Sequence, residues 1–254
     1  MRVAIAILAG VALLAIALAI SAPASLLDAR VAALSDGHLR VADAEGTFWN
    51  GTGQLLLVPG GTRRALAWHI DAWPLLRGEV QGTIAGGKDA TQHADFAYGH
   101  QGVELRHFDL SLPMESVLKS AGVPGALTTA GGSVTAHIER LVQTPDAIDA
   151  QLTLQWQDAS VPGLRPGERI ALGEIRLDLD GRGPEIGGAL SNRGGDVEIS
   201  GRVAVSAALA SRIDATVRPR EGIDRDRADA VAAALSLIGS ADGQGGYRLA
   251  WPRS

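Results

Sequence analysis

The chain has 254 residues, of which 46% are hydrophobic and 4% aromatic, and its formal net charge is -5. This charge is spread along the chain without a basic run, so nothing in the composition indicates a nucleic-acid partner. The absence of cysteine excludes disulfide bonds, thiolate metal sites, cysteine nucleophiles and a lipidated lipoprotein cysteine.

The first predicted element is a membrane-spanning segment. Residues 3–22 carry no charged side chain, and as a helix they would span about 30 Å, the hydrocarbon thickness of a bilayer. Arg2 precedes this segment and the first acidic residue is Asp28, so the positive-inside tendency places the N-terminus in the cytoplasm. We therefore expect a single-pass membrane protein. Its predicted parts are a transmembrane anchor at 1–22, a juxtamembrane helix or linker at 23–37 and a periplasmic β-rich domain at 38–254.

A cleavable signal peptide is the alternative for this segment. Small residues at Ala17-Leu18-Ala19 and at Ala22-Pro23-Ala24 loosely resemble cleavage sites. The apolar run is longer than the apolar region of a typical signal peptide, and a proline beside such a site hinders processing. The sequence favours the uncleaved anchor, and either alternative exports the bulk of the chain.

After the anchor, residues 23–34 have the spacing of a short amphipathic helix, and period-2 alternation then predicts strands. Asn50-Gly51 predicts a type I′ turn within a first hairpin from Leu39 to Val58. Further predicted strands begin at Gly78, Val103, Gly131, Ala147, Gly173 and Gly195. Two short helices are predicted at residues 113–121, ending at Gly122, and at residues 224–238, ending at Gly239 and docked on the sheet.

Two groups of residues carry a resemblance to a known family. The segment EGTFWNGTGQL is followed by a lone strand tryptophan and by the residues PLLRG. The motifs LSN-x-GG, DG and YRL lie closer to the C-terminus. In these features the chain resembles protein N of the type II secretion system, and more distantly the AsmA-like proteins. The residues that carry the resemblance are Gly46, Thr47, Trp49, Gly51, Trp68, Pro74, Gly78, Asn192, Gly195 and Gly243.

The resemblance implies an accessory inner-membrane component that takes part in export of folded proteins across the outer membrane. Its implied partners are the secretin or inner-membrane platform subunits, with no catalytic residue and no cofactor. The implied fold is mainly β, an extended, curved antiparallel AsmA-like sheet with one or two short helices packed on it. Only the last strand departs from the family pattern, because residues 251–254 end it early.

Motifs for chemistry are weak in this sequence. His93, His100 and His107 are spaced by seven residues, an odd number that places successive side chains on opposite faces of a strand. No HExxH pair occurs. No GxSxG, GxGxxG or GxxxxGK[ST] motif is present. The sequence therefore predicts no catalytic, metal or cofactor site.

The remaining polar and aromatic residues receive structural interpretations. Trp49, beside the predicted turn, is expected in the core. Trp68 and Trp73 are separated by an odd number of residues, so on a regular strand their side chains would lie on opposite faces. We therefore expect one of them to be exposed to a neighbouring chain or to lipid headgroups. The interleaved charges of residues 218–227 predict a solvated face.

Three functions stay open at this point. A scaffold would bind other secretion proteins through sheet edges or faces. A lipid-binding or lipid-transport protein would need an apolar face that its own side chains leave unfilled. An exported hydrolase would need a converging polar cluster.

Overall fold

A computed structural model describes residues 22–58, 61–86, 92–120, 129–208 and 210–251. Apart from Ala22, the predicted anchor lies outside these residues. Within them, no helix has the length and apolar character needed to cross a membrane. The chain divides into two compact units, residues 1–93 and residues 94–254. Strands dominate both units and every described pairing is antiparallel, so the predicted mainly β fold with few helices is confirmed.

The described part of the first unit is a four-stranded antiparallel sheet with a helix at its start. Each strand pairs with the next along the chain, in the order β1-β2-β3-β4. The predicted hairpin from Leu39 to Val58 is confirmed by the pairing of β1 with β2. The elements are α1 (Ser25–Leu34), β1 (Leu39–Gly46), β2 (Asn50–Leu57), β3 (Thr62–Asp71), a 3-10 helix (Pro74–Arg77) and β4 (Val80–Gly86).

The predicted type I′ turn at Asn50-Gly51 is wrong. Both residues belong to β2, and Gly51 pairs with Gly46 across the hairpin. Neither has the positive φ that a type I′ turn requires, whereas Gly46 has φ +94°. The chain therefore reverses its direction at Thr47, Phe48 and Trp49, immediately before the dipeptide that was predicted to form the turn.

The described part of the second unit contains ten antiparallel strands and two helices. From β5 to β12 each strand pairs with its successor, and the order then becomes β12-β14-β13. Strands β5, β10, β12 and β13 are additional to those predicted from the sequence. The strands are β5 (Gln92–Gly99), β6 (Gly102–Pro113), β7 (Gly131–Gln143), β8 (Ile148–Pro162), β9 (Arg169–Gly183), β10 (Glu185–Arg193), β11 (Val197–Ser206), β12 (Ser211–Pro219), β13 (Ser240–Ala241) and β14 (Tyr247–Trp251).

The helices of the second unit are α2 (Met114–Ser120) and α3 (Arg225–Ile238), close to their predicted bounds. Gly122, the predicted end of the first, lies outside the described residues. Asp224 precedes α3 and Gly239 follows it. Val231 and Leu235 of α3 are buried against the sheet, which confirms the predicted docking.

The strand register gives the second unit one apolar and one polar face. Because side chains alternate along a strand, residues paired across neighbouring strands lie on the same face. Ile138 pairs with Leu152 and Leu152 with Leu179, while their sequence neighbours His137, Thr153 and Asp178 form the opposite face. The buried cluster on the apolar face consists of Ile170, Val197, Val217, Val231 and Leu235.

Candidate functional site

The loop between β1 and β2 holds the start of the described chain. We name residues 46–51 the entry loop. The Phe48 N–H donates to the Ala22 carbonyl oxygen at 2.8 Å, and the Ala24 N–H donates to the Gly46 carbonyl oxygen at 3.4 Å. Pro23 also forms an isolated antiparallel bridge with Thr47. The entry loop therefore fixes the residues that directly follow the predicted anchor onto the first hairpin.

Trp68 supports the entry loop from β3. Its side chain is 4% exposed, and its indole Nε1 donates to the carbonyl oxygens of Thr47 and Phe48 at 3.3 and 3.1 Å. The ring lies directly beside Gly51, where a Cβ atom would be 2.5 Å from Cζ2 of the indole. These contacts give the predicted signature residues around the loop a structural task.

The loop also has its own internal hydrogen bonds. The Thr47 N–H donates to the Asn50 carbonyl oxygen at 2.9 Å, and the Asn50 N–H donates to Thr47 Oγ1 at 3.1 Å. A side chain on Gly46 is unfavourable on two counts, its φ of +94° and the Asn50 carbonyl oxygen 2.6 Å from the Cβ position. Trp49 is only partly buried and packs edge to face on Phe48.

Helix α1 is joined to the outer edge of β1. Asp28 accepts hydrogen bonds from Arg40 Nε at 2.9 Å, from Arg40 Nη2 at 2.6 Å and from the Val41 N–H at 2.8 Å. The Arg40 hydrogen bond holds the pKa of Asp28 below its usual value, against the opposing effect of burial. The Leu39 N–H donates to Ser35 Oγ at 3.0 Å. Helix α1 and the following Ser35 thus accept hydrogen bonds from two N–H groups of the first strand.

The connection from β3 to β4 exposes two large apolar side chains. Trp73 is 73% exposed and Leu76 is 76% exposed. Pro74 begins the 3-10 helix between them, and Gly78 ends it in the left-handed region with φ +74°. The prediction that one of Trp68 and Trp73 is exposed agrees with their burial, since Trp68 is in the core.

Asn192 and Gly195 lie where β10 turns into β11. Asn192 Nδ2 donates to the carbonyl oxygens of Leu172, Gly194 and Val197 at 2.7, 3.2 and 3.0 Å. Its Oδ1 accepts from the Ile199 N–H at 2.7 Å. Gly195 has φ +78°, and a Cβ there would be 2.5 Å from the backbone of β9. Both residues therefore seat this turn against β9.

An arginine–aspartate network fixes α3 to the same turn. Arg227 donates to Asp196 Oδ2 from Nε at 3.0 Å and from Nη2 at 2.8 Å. The same carboxylate oxygen accepts from the Ala171 N–H at 2.7 Å. Arg220 donates to the Gly194, Gly195 and Val197 carbonyl oxygens. The prediction of a purely solvated face for residues 218–227 is therefore wrong for Arg220 and Arg227.

Gly243 lies in a turn organised by Asp242. The Asp242 carboxylate accepts from the N–H groups of Gln244 at 2.7 Å and Gly246 at 2.9 Å. These two hydrogen bonds lower the pKa of Asp242. Gly243 has φ +78° and no neighbouring atom within 4 Å of its Cβ position, so the turn requires its backbone conformation and no close approach.

Three large apolar side chains are exposed near the end of the chain. Leu237 is 68%, Ile238 54% and Trp251 61% exposed. Leu237 and Ile238 end α3, which contacts β14, and Trp251 ends β14. By register Trp251 shares the apolar face with Leu249, which packs against the cluster containing α3. We name these three residues the C-terminal patch.

The three evenly spaced histidines lie on exposed parts of β5, β6 and the turn between them. His93 and His100 are exposed, and His107 lies 3.5 Å from Asp95 and 3.6 Å from Glu139. Within the described ranges, no group of three histidine, aspartate or glutamate side chains has an arrangement able to hold a metal ion.

Comparison with known proteins gave one match. The family model described as "Type II secretion system (T2SS), protein N" matches residues 37–250. All the predicted signature residues fall inside this range. No curated protein and no solved structure matches the chain.

Proposed function

The chain belongs to the type II secretion system protein N family, which gives it an accessory role in that secretion system, and on this premise we propose its placement and mode of action. Residues 1–22 hold it in the bacterial inner membrane with the N-terminus in the cytoplasm. Residues 38–254 extend into the periplasm. There the protein assists export of folded proteins by binding other secretion subunits, the secretin or the inner-membrane platform. The observation that carries this proposal is the family match over most of the chain.

The entry loop supports the proposed attachment to the membrane. Ala22, the last residue of the predicted anchor, is itself hydrogen bonded to this loop through Phe48. Attachment of this kind keeps the first unit close to the bilayer surface. A protein that must meet membrane-embedded partners benefits from such a position, because anchoring raises the local concentration of both.

The C-terminal patch is the surface that we propose for a protein partner. Exposed large apolar side chains that are grouped on contacting elements are typical of interaction sites. The patch adjoins the buried cluster of α3 and the sheet, because Trp251 shares a face with Leu249. An apolar partner surface would bury Trp251, a residue type enriched at interface hot spots.

Site-specific photocrosslinking in native membranes tests this proposal. A photoreactive residue is introduced into the full-length protein at Leu237 or at Trp251. The matched control carries it at Leu164, which is 54% exposed in the loop between β8 and β9. We expect secretin or platform subunits to crosslink from the patch and not from Leu164. Recovery of phospholipid alone, without any secretion subunit, would contradict the proposal.

The apolar face favours a second candidate, binding of a lipid acyl chain. Several large apolar residues on β6 to β9 are only partly buried, although they share a face with the buried Ile148 and Leu179. Helix α3 covers the part of this face formed by β9, β11, β12 and β14. Such partly open apolar surfaces accommodate acyl chains. The residues concerned are Leu105, Leu110, Ile138, Leu152 and Leu177.

A photoactivatable phospholipid tests the second candidate. We expect the label on peptides of β6 to β9 in the full-length protein in vesicles. Leu152→Lys places a charge on the apolar face and should reduce labelling, whereas Gln151→Lys places it on the opposite, exposed face and should not. Labelling confined to residues 1–22, or unchanged by Leu152→Lys, would exclude this binding mode.

A further inference from the structure

Trp73 and Leu76 are the most exposed large apolar residues of the first unit's described part. They are three residues apart across a 3-10 helix, and the Leu76 N–H donates to the Trp73 carbonyl oxygen at 3.2 Å. Side chains at this separation lie on the same side of a 3-10 helix. The two side chains therefore form one projecting apolar surface, which we name the β3–β4 knob.

The knob lies at the end of the sheet where the chain enters. Strand β1 runs toward the entry loop, β2 runs away from it, and β3 returns to the same end. The Ile70 N–H donates to the Trp49 carbonyl oxygen at 2.7 Å, which places the end of β3 against the entry loop. Ala22 is hydrogen bonded to that loop through Phe48. The knob and the exit from the predicted anchor are thus neighbours.

We propose that the β3–β4 knob inserts into the headgroup layer of the leaflet from which the anchor emerges. This inference rests on the membrane anchoring put forward under the proposed function. Tryptophan prefers the interface between headgroups and acyl chains, and leucine beside it reaches the apolar layer below. The exposed Arg77 follows Leu76 and can bind lipid phosphate. We assign the bilayer as the surface that the knob contacts, because residues 3–22 are predicted to span it and Ala22 is hydrogen bonded to the entry loop.

The backbone of the knob suits insertion. Unpaired N–H groups are costly in an apolar layer, and Pro74 has none. The Gly78 N–H donates to the Leu75 carbonyl oxygen at 3.0 Å, and the Glu79 N–H donates to the Pro74 carbonyl oxygen at 3.2 Å. Local hydrogen bonds thus serve the backbone N–H groups of Leu76, Gly78 and Glu79. Insertion would give the first unit a second attachment to the membrane beside its anchor.

The absence of native cysteine allows a direct test. Single variants of the full-length protein, Leu76→Cys and Trp73→Cys, are labelled with an environment-sensitive fluorophore. The proteins are reconstituted in vesicles of phosphatidylethanolamine and phosphatidylglycerol, with quencher lipids carrying a nitroxide near the headgroup or at mid-chain. The matched control is Leu164→Cys, an exposed leucine of the second unit. Flotation with the vesicles is measured on the same samples.

A knob at a depth of about 5–10 Å predicts a blue-shifted emission at both positions, quenched more strongly by the headgroup nitroxide than by the mid-chain nitroxide. The control should keep the emission of a probe in water. Vesicle-bound protein without quenching at either knob position would overturn the inference while leaving the anchor intact. Failure to float would instead contradict the proposed anchoring. A blue shift that needs added secretion subunits would assign the knob to a protein partner and also overturn it.

Discussion

Trp68 and Gly51 pair across β2 and β3, and the indole occupies the space that a side chain at residue 51 would need. A Cβ there would also lie 2.4 Å from the Glu45 carbonyl oxygen. The ring, in turn, holds the entry loop through its N–H group. The position of the loop therefore depends on one cross-strand pair, in which a glycine leaves room for the indole ring of a tryptophan.

Gly51→Ala should destabilise the first unit by about 1–3 kcal/mol, because the added methyl forces Trp68 or β1 to shift. Gly86→Ala is the matched control. It is also a strand glycine of the first unit, and its nearest atom to the Cβ position is 3.9 Å away. Urea unfolding in detergent, followed by tryptophan fluorescence, measures the difference. Equal midpoints for the two variants would show that the indole does not restrict residue 51.

Gly195→Ala and Gly243→Ala separate backbone strain from close approach. Both glycines have φ +78°, but only Gly195 has backbone atoms within 3 Å of its Cβ position. Gly243→Ala should cost about 1–2 kcal/mol from the left-handed conformation alone. Gly195→Ala should cost about 2–5 kcal/mol because overpacking adds to that strain. The measurement is the urea midpoint of the second unit, and a larger loss in Gly243→Ala would contradict the described turn.

Asp196→Ala should release α3 from the turn between β10 and β11. The variant loses the acceptor of the Ala171 N–H and of Arg227, at a cost of about 1–3 kcal/mol. Hydrogen exchange of the α3 peptide should rise together with the loss of stability. Asp214→Ala, which breaks an exposed pair with Arg248, is the control and should change both measurements less. The prediction fails if α3 exchange is the same in both variants.

The Asp28 carboxylate should make the first unit less stable in acid. Its pKa in the folded chain is below the usual 3.8, chiefly because of the Arg40 hydrogen bond. A lowered folded pKa contributes stability that is present above the unfolded value and lost as pH falls through the folded value. Below about pH 4 the urea concentration at the unfolding midpoint should therefore decrease, and Asp28→Asn should weaken that pH dependence.

Arg40→Gln is the companion variant for this titration. It removes the largest cause of the pKa shift and leaves the carboxylate in place, so the pKa of Asp28 should return toward its usual value and less stability should be lost in acid. At neutral pH both variants should be less stable than the parent chain, and the gap between the parent and Asp28→Asn should narrow in acid. A gap that is constant from neutral pH to acid would contradict the assigned role of Asp28.

Local patterns in the sequence predict much of this fold. Alternating apolar residues placed the first hairpin and five of the ten strands described in the second unit, and the limits of α3 follow from Asp224 and Gly239. Strand β10 was missed because Gly187 and Gly188 interrupt its alternation. The turn prediction at Asn50-Gly51 failed because a dipeptide rule contains no information about Trp68, which is far along the chain.

The candidate sites were less predictable for the same reason. The residues that resemble the secretion family were named from the sequence, and their standing as a signature stays a prediction. The C-terminal patch, the knob and the Asp196–Arg227 contact depend on which strands meet. Such long-range pairings leave no local pattern, so charges at residues 218–227 had the spacing of a solvated surface.

The pairing order of the strands has a consequence for how the chain is made. Within the second unit, each strand from β6 to β12 adds to the strand synthesised just before it. A sheet of this kind can grow hairpin by hairpin as the chain is synthesised, without waiting for distant segments, and short sequence separations favour fast folding. At each stage the newest strand presents an unpaired edge. The late strands β13 and β14 then reverse the order, so the last segment to arrive is inserted between two that are already present.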